Sequence, residues 1–389
     1  MPATLITAPR VVPAVPGPGA GPAVLEPGYV AVDGGLISSV GAGPPPGRPD
    51  VVLGRGVLVP GLVDLQVNGC FGVDLAAADA AGWARVVRRL PETGTTAFLP
   101  TFITAPVPEL AAALRRAAKL VAAVPHGARV LGLHLEGPFL SPARAGAHRR
   151  EWMVPPSPGA VADLLAAGDG LLRLVTLAPE NEGGLAAVAA LAEAGVVVSV
   201  GHSDATAAQV AAAASAGATM VTHLFNAQRP MHHREPGVVG QALTDARLTS
   251  GLIVDLSHVS AAACMIAFAA APGRICLVTD AAAGAGMPPG RYLLGGEPVE
   301  LPPGGGAPLR GGTLAGSALR MDRAVANAVG LGLGLADAVA AATRIPADLI
   351  GRPDLGRLAP GAAADLAWLG DDLSTRATWV GGMLVHGPG

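Results

Sequence analysis

Chemistry-bearing residues in this sequence of 389 residues stand where apolar runs stop. Glu136 closes LGLHL, His202 closes VVVSV, His223 closes ATMVT, His258 follows LIVDLS, and Asp280 closes ICLVT. Asp64, Gln66 and Asn68 occupy the end of VLVPGLVDLQV. One carboxylate and two imidazoles are a donor set for zinc-class ions, and a further aspartate beside them is free to carry protons. That combination does metal-assisted hydrolysis. A single histidine at a strand end is more often structural, but three donors converging on one place point to a site. His134, two residues before Glu136, lies on the same side of its strand, so it competes as a ligand or supports one from behind. His126, His232, His233 and His386 read as solvated loop or terminal residues.

Such convergence needs elements that end at a common face. From residue 58 the chain alternates apolar strand candidates (TTAFLPTF, RVLGLHLEG, LLRLVTLAP and those above) with Ala-rich helical runs such as ATAAQVAAAASAG. Near-continuous apolar strands between helices imply a parallel sheet covered on both sides. Eight strands, counted from VLVPGLVDLQV, predict an α/β fold, a (β/α)8 barrel whose strand ends share one mouth. A doubly wound sheet is disfavoured, because no GxGxxG follows the first strand. Residues 1–57 and 355–389 read as short strands and turns, which predicts one small β-sandwich domain built from both termini around a barrel at 58–354.

Composition removes other classes. A net charge of −3, from 26 Lys+Arg and 29 Asp+Glu, gives no footprint for nucleic acid. Three cysteines without a CxxC pair exclude a disulfide scaffold or zinc ribbon. The one lysine, Lys119, lies on a helical run and leaves little room for Schiff-base or P-loop chemistry. No signal peptide or membrane span is expected, so the sequence reads as a soluble cytoplasmic protein without a membrane partner.

PGLVDLQVNGC, LGLHLEGPFL, VTLAPE, GHSDAT, THLFNAQ followed by REPG, LVTDA, GTLAGS and LGRLAPGAAADL occur in an order that resembles the N-acetylglucosamine-6-phosphate deacetylases of the amidohydrolase superfamily. The resemblance runs through nearly the whole chain and implies the same barrel and sandwich. By position it implies Glu136, His202 and His223 as metal ligands, Asp280 as catalytic acid/base and His148 as a catalytic histidine near the acyl carbonyl. It implies substrate contacts at Ala147, Asn226, Ala227, Arg234, His258, Leu314, Ala315 and Gly316. It also implies one divalent ion per subunit, zinc first, with iron(II) or another divalent ion compatible with the same donors. In that family the arginine at the position of Arg234 reaches the neighbouring subunit's substrate, so a homodimer is expected.

The reaction so implied is hydrolysis of the acetamide of N-acetyl-D-glucosamine 6-phosphate to D-glucosamine 6-phosphate and acetate. Alternatives are the N-acetylgalactosamine 6-phosphate deacetylase, another amidohydrolase acting on an N-acyl substrate, and a silent sugar-phosphate-binding homologue. Where many amidohydrolases carry His-x-His, this chain has Gln66-Val67-Asn68, and carboxamides are weak ligands for zinc-class ions. A weak second metal site near Gln66, Asn68 and Cys70 stays open on sequence alone.

Overall fold

The computed structural model describes residues 4–15, 23–303 and 306–388. Eight parallel strands follow one another around a barrel: Leu62–Val67, Thr95–Ile103, Leu133–Glu136, Leu172–Leu177, Val197–Val200, Ala218–Val221, Thr249–Leu252 and Ile275–Leu277. A short segment, Arg129–Val130, extends the third strand backwards along the second. The first and last strands meet through a bridge between Val67 and Ala281, which nearly closes the sheet. Nearly every residue of these strands is buried, as expected when helices cover the outside and side chains fill the inside.

The helices are fixed by local signals. Asp79 caps Ala80–Arg89 by accepting from the Gly82 N–H, and the helix buries Trp83, Val86 and Val87. Thr206 and Gln209 form a reciprocal capping box at Ala207–Ser215. Only residues 201–206 separate strand Val197–Val200 from that helix, so the intervening loop carrying His202 is short and anchored at both ends.

Both termini supply the second layer. One sheet orders Leu36–Ala42, Gly28–Asp33, Thr4–Ala8 and Val51–Val52; the other orders Met383–His386, Thr375–Val380, Leu366–Leu369 and Val57–Pro60. Ile6, Val30 and Ile37 of the first share an apolar cluster with Leu58, Leu366 and Trp379 of the second. VLVPGLVDLQV is therefore two strands rather than one. Val57–Pro60 pairs antiparallel with Leu366–Leu369, and Leu62–Val67 enters the barrel beside Thr95–Ile103. The break falls at Gly61, where a Cβ would run into the Thr96 side chain.

A third antiparallel sheet, Gly290–Leu294, Glu297–Leu301, Leu309–Arg310 and Thr313–Leu314, is inserted after the last barrel strand. Its first turn is Gly295-Gly296, with φ of 59° and 80°, the hairpin conformation that glycine adopts freely. The Leu-Leu-Gly-Gly-Glu pattern carries that hairpin signal in the sequence. Among the described residues, no helix is long and apolar enough to cross a membrane.

Candidate active site

Three donor atoms meet at the carboxyl ends of the third, fifth and sixth barrel strands. Nε2 of His223 lies 2.9 Å from Oε1 of Glu136, and Nε2 of His202 lies 3.3 Å from the same oxygen. The two Nε2 atoms are 3.2 Å apart. Ligands about 2.1 Å from a tetrahedral ion are spaced roughly 3.4 Å from one another, so the triangle fits a zinc-sized cation. Nδ1 of His202 faces the Arg144 carbonyl at 2.9 Å; donating there leaves the Nε2 lone pair bare for a metal. Burial would raise Glu136, but the imidazoles of His148, His202 and His223 around it hold it well below the usual carboxylate range. Burial opposes charge on His223, yet the Glu136 carboxylate outweighs that and raises it. A proton and a dication thus compete for the same place.

His148 borders this triangle. Its Nε2 is 3.7 Å from the other carboxylate oxygen, Oε2 of Glu136, and the ligand atoms of Glu136, His148 and His202 all lie within 4.8 Å of one another. Its Nδ1 accepts from the Thr104 backbone N–H at 3.4 Å and lies 2.8 Å from Thr104 Oγ1. Burial, then the charge of His202, push His148 down to about 4, so it is neutral near pH 7.

Asp280 faces the triangle from the end of the last strand. Its Oδ1 accepts from Nδ2 of Asn68 at 2.7 Å and from Nε2 of Gln66 at 3.1 Å, and Gln66 Nε2 also reaches Oε1 of Glu136 at 3.1 Å. The carboxamides present nitrogens, not oxygens, to the two carboxylates, which is donor chemistry rather than metal ligation. Cys70 is buried and its thiol is pushed up by that burial. Burial and then the Glu136 charge raise Asp280 to about 6. His202, His223 and Asp280 have φ of 47°, 25° and 51°, a left-handed backbone that non-glycine residues adopt at a cost of roughly 1–3 kcal/mol each. Three such residues around one point are a mark of a working site that spacing in the sequence does not reveal.

The cavity over these groups holds about 260 Å³. Of the residues expected to touch substrate, Ala147, Asn226, Ala227, His258, Leu314 and Gly316 line it with His148. His258 is oriented by Asp255, Nδ1 to Oδ2 at 2.7 Å. Ala315 does not line it; its side chain packs behind, with Ile103, Ala282 and Leu294. Arg234 stands outside on an exposed loop, 2.8 Å from His233 Nε2. Its neighbour Glu235 is occupied by the backbone N–H groups of Ala207 and Gly237. His134 is no ligand: it sits inside the barrel between Thr101 Oγ1 and Thr176 Oγ1, at 3.2 and 2.9 Å, and burial pushes it down to about 4. Sequence reasoning missed Ile103, Leu294 and Thr313 in the wall, and Thr104 behind His148. Leu294 and Thr313 come with the inserted sheet, whose Gly-Gly turn was the available signal.

Comparison with known proteins points to one enzyme family. Residues 57–385 match the family model described as the amidohydrolase family. The chain is 41% identical to the N-acetylglucosamine-6-phosphate deacetylase of Bos taurus over 343 residues, covering 85% of this chain and 83% of that protein. It is 40% identical to the N-acetylgalactosamine-6-phosphate deacetylase of Escherichia coli O157:H7 over 331 residues, covering 85% and 88%. A solved mutant N-acetyl-D-glucosamine-6-phosphate deacetylase from Mycobacterium smegmatis, in complex with N-acetyl-D-glucosamine-6-phosphate, superposes with a TM-score of 0.92 at 38% identity, covering 98% of this chain and 99% of that one.

Proposed function

The chain belongs to the amidohydrolase family, among the N-acetylglucosamine-6-phosphate deacetylases, and from that premise we propose that it hydrolyses the acetamide of N-acetyl-D-glucosamine 6-phosphate to D-glucosamine 6-phosphate and acetate. The observation that carries the reading is the triangle of Glu136, His202 and His223 with Asp280 facing it in one cavity. One divalent ion, held by those three side chains, would polarise the acyl oxygen and lower the pKa of water, making a nucleophile at neutral pH. Zinc suits two imidazoles and a carboxylate, and iron(II) is compatible.

The protein's own groups divide the remaining work. Oδ1 of Asp280 is occupied by two amide donors, so Oδ2 is the atom that takes the proton of the attacking water. Asp280 then returns that proton to the amine, which leaves poorly as an anion. His148, neutral and held at Nδ1 by Thr104, carries its proton on Nε2 and donates it as a hydrogen bond to the oxygen on which charge develops. Asn226, Ala227, His258, Leu314 and Gly316 wall the sugar, and Ala147 contributes backbone beside His148.

Among the described residues, no lysine or arginine lines the cavity, although the substrate carries a phosphate. Arg234 is exposed and its recorded side-chain partner among the described residues is His233, not a carboxylate. In a homodimer its planar fork is suited to a phosphate in the adjoining subunit's cavity. Acetate release from N-acetylglucosamine 6-phosphate, from its unphosphorylated form and from N-acetylgalactosamine 6-phosphate tests the assignment. Rapid release from the first and little from the second supports it; equal rates on phosphorylated and free sugar contradict a phosphate clamp. Mixed dimers of Arg234→Ala and Asp280→Ala chains should regain activity, and no rescue in a verified mixed dimer removes Arg234 from the neighbouring site.

A further inference from the structure

We propose that Asp64, a residue outside the substrate cavity, is a positioning residue that aims Asp280 by bracing Thr279. This rests on the reading of Asp280 as the proton carrier. Asp64 lies in the first barrel strand and Thr279 just after the last, at the seam where the barrel closes. The Asp64 side chain is buried, with the residue 1% exposed. Its Oδ2 accepts from Thr279 Oγ1 at 2.6 Å, and its Oδ1 accepts from the backbone N–H groups of Thr279 and Gln66, each at 3.2 Å.

This one carboxylate therefore fixes both sides of the proton carrier's surroundings. On one side is Gln66, whose Nε2 donates to Asp280 Oδ1 and Glu136 Oε1. On the other is Thr279, the residue preceding Asp280. Thr279 Oγ1 also accepts from the Ala281 N–H at 3.2 Å, so the hydroxyl clasps the backbone around Asp280. Ser317 completes the brace from above: its Oγ donates to the Thr279 carbonyl, and its N–H donates to the Asp280 carbonyl at 2.7 Å. The residue so clamped has φ of 51°, a left-handed conformation uncommon outside glycine, and these bonds hold it there. Released from Asp64, the peptide at 279–280 can relax, and the carboxylate swings from the point where Gln66 and Asn68 meet it.

An apolar side chain would fill this seam at less cost, since burial pushes Asp64 up to about 7 and the charge of Asp280 works in the same direction. A buried acceptor that the packing does not need, bonded to the residue next to the proton carrier, is explained by the aim it gives that carrier.

The test compares Asp64→Asn made in the wild-type chain with Asp64→Asn made in Asp280→Asn, both loaded with metal and assayed for kcat, KM and metal content. A displaced proton carrier should lower kcat by about 30-fold in the wild-type background, with KM and metal content nearly unchanged. In Asp280→Asn the same change should cost less than about twofold, because nothing remains to be aimed. Equal losses in the two backgrounds, or wild-type kcat in Asp64→Asn, overturn the proposal. Near-normal turnover of Asp280→Asn itself overturns the proton-carrier reading and the proposal with it, and is seen without reference to Asp64. Should Asp64→Asn fail to fold, Thr279→Val and Thr279→Ser decide: the valine variant is expected to lose about tenfold in kcat and the serine variant to restore most of it. Equal kcat in the two contradicts a role for the hydroxyl.

Discussion

Asp365 of the terminal layer and Asp280 of the barrel mouth are both buried carboxylates, 3% and 8% exposed, in opposite surroundings. Asp365 is clasped by Arg129, Nε to Oδ2 at 2.8 Å and Nη2 to Oδ1 at 3.0 Å, and takes the Gly381 N–H at 2.7 Å. Its charge is cancelled where it stands, and it ties a terminal-sheet turn to the barrel. Asp280 has no cation beside it in this way. It receives neutral amides on one oxygen, faces Glu136, and is raised to about 6 by burial and that charge. Nearby, Gln66 Oε1, Asn68 Oδ1 and His223 Nδ1 are buried with no hydrogen-bond partner. A structural carboxylate is satisfied in place, whereas the mouth leaves its charges open to a cation and a proton in transit.

The contrast is broken most forcefully at Asp280. Asp280→Asn should lower kcat by at least ~10²-fold, the scale of general acid–base catalysis, without lowering the melting temperature, since it removes a buried charge beside Glu136. Steady-state kinetics and thermal melts on the same preparation check both halves. Asp365→Asn should do the converse. It should leave kcat of the folded fraction intact and destabilise the fold by about 2–3 kcal/mol, read from urea unfolding; the 36% exposure of Arg129 puts the loss below that of a fully buried pair. The smallest and most graded effect is on metal affinity. Imidazole ligands must be neutral and the proton raised onto His223 must leave before a dication enters, while Asp280 is ionised only above about 6 in the metal-free protein. Binding therefore releases protons, and affinity measured by chelator competition should fall as pH is lowered from about 7 to about 5.

Much of this was legible in the sequence because buried parallel strands are near-continuous apolar runs, so the histidines and acids standing where those runs stop mark the barrel mouth. Glu136, His202, His223, His258 and Asp280 all stood out in that way. What joined them was not legible. Gln66 and Asp280 are 214 residues apart, and only barrel closure brings their side chains together. His148 lies in a loop with no periodic signal, and its assignment came from resemblance; the structure supplies its physical support in Thr104. The left-handed backbone at His202, His223 and Asp280 breaks local preference and is imposed by tertiary contacts. The break at Gly61 was hidden because apolar residues run up to it on both sides, VLVP before and Leu62-Val63 after.

Two donor triads share Glu136 and His202 and differ in whether His223 or His148 is the third member. The most direct measurement of the account is the number of metal equivalents retained per chain, by elemental analysis after exhaustive dialysis, in wild type, His223→Ala and His148→Ala. One equivalent in wild type and in His148→Ala, with loss in His223→Ala, is the expected result. Retention in His223→Ala with loss in His148→Ala, or two tightly held equivalents in wild type, would contradict it.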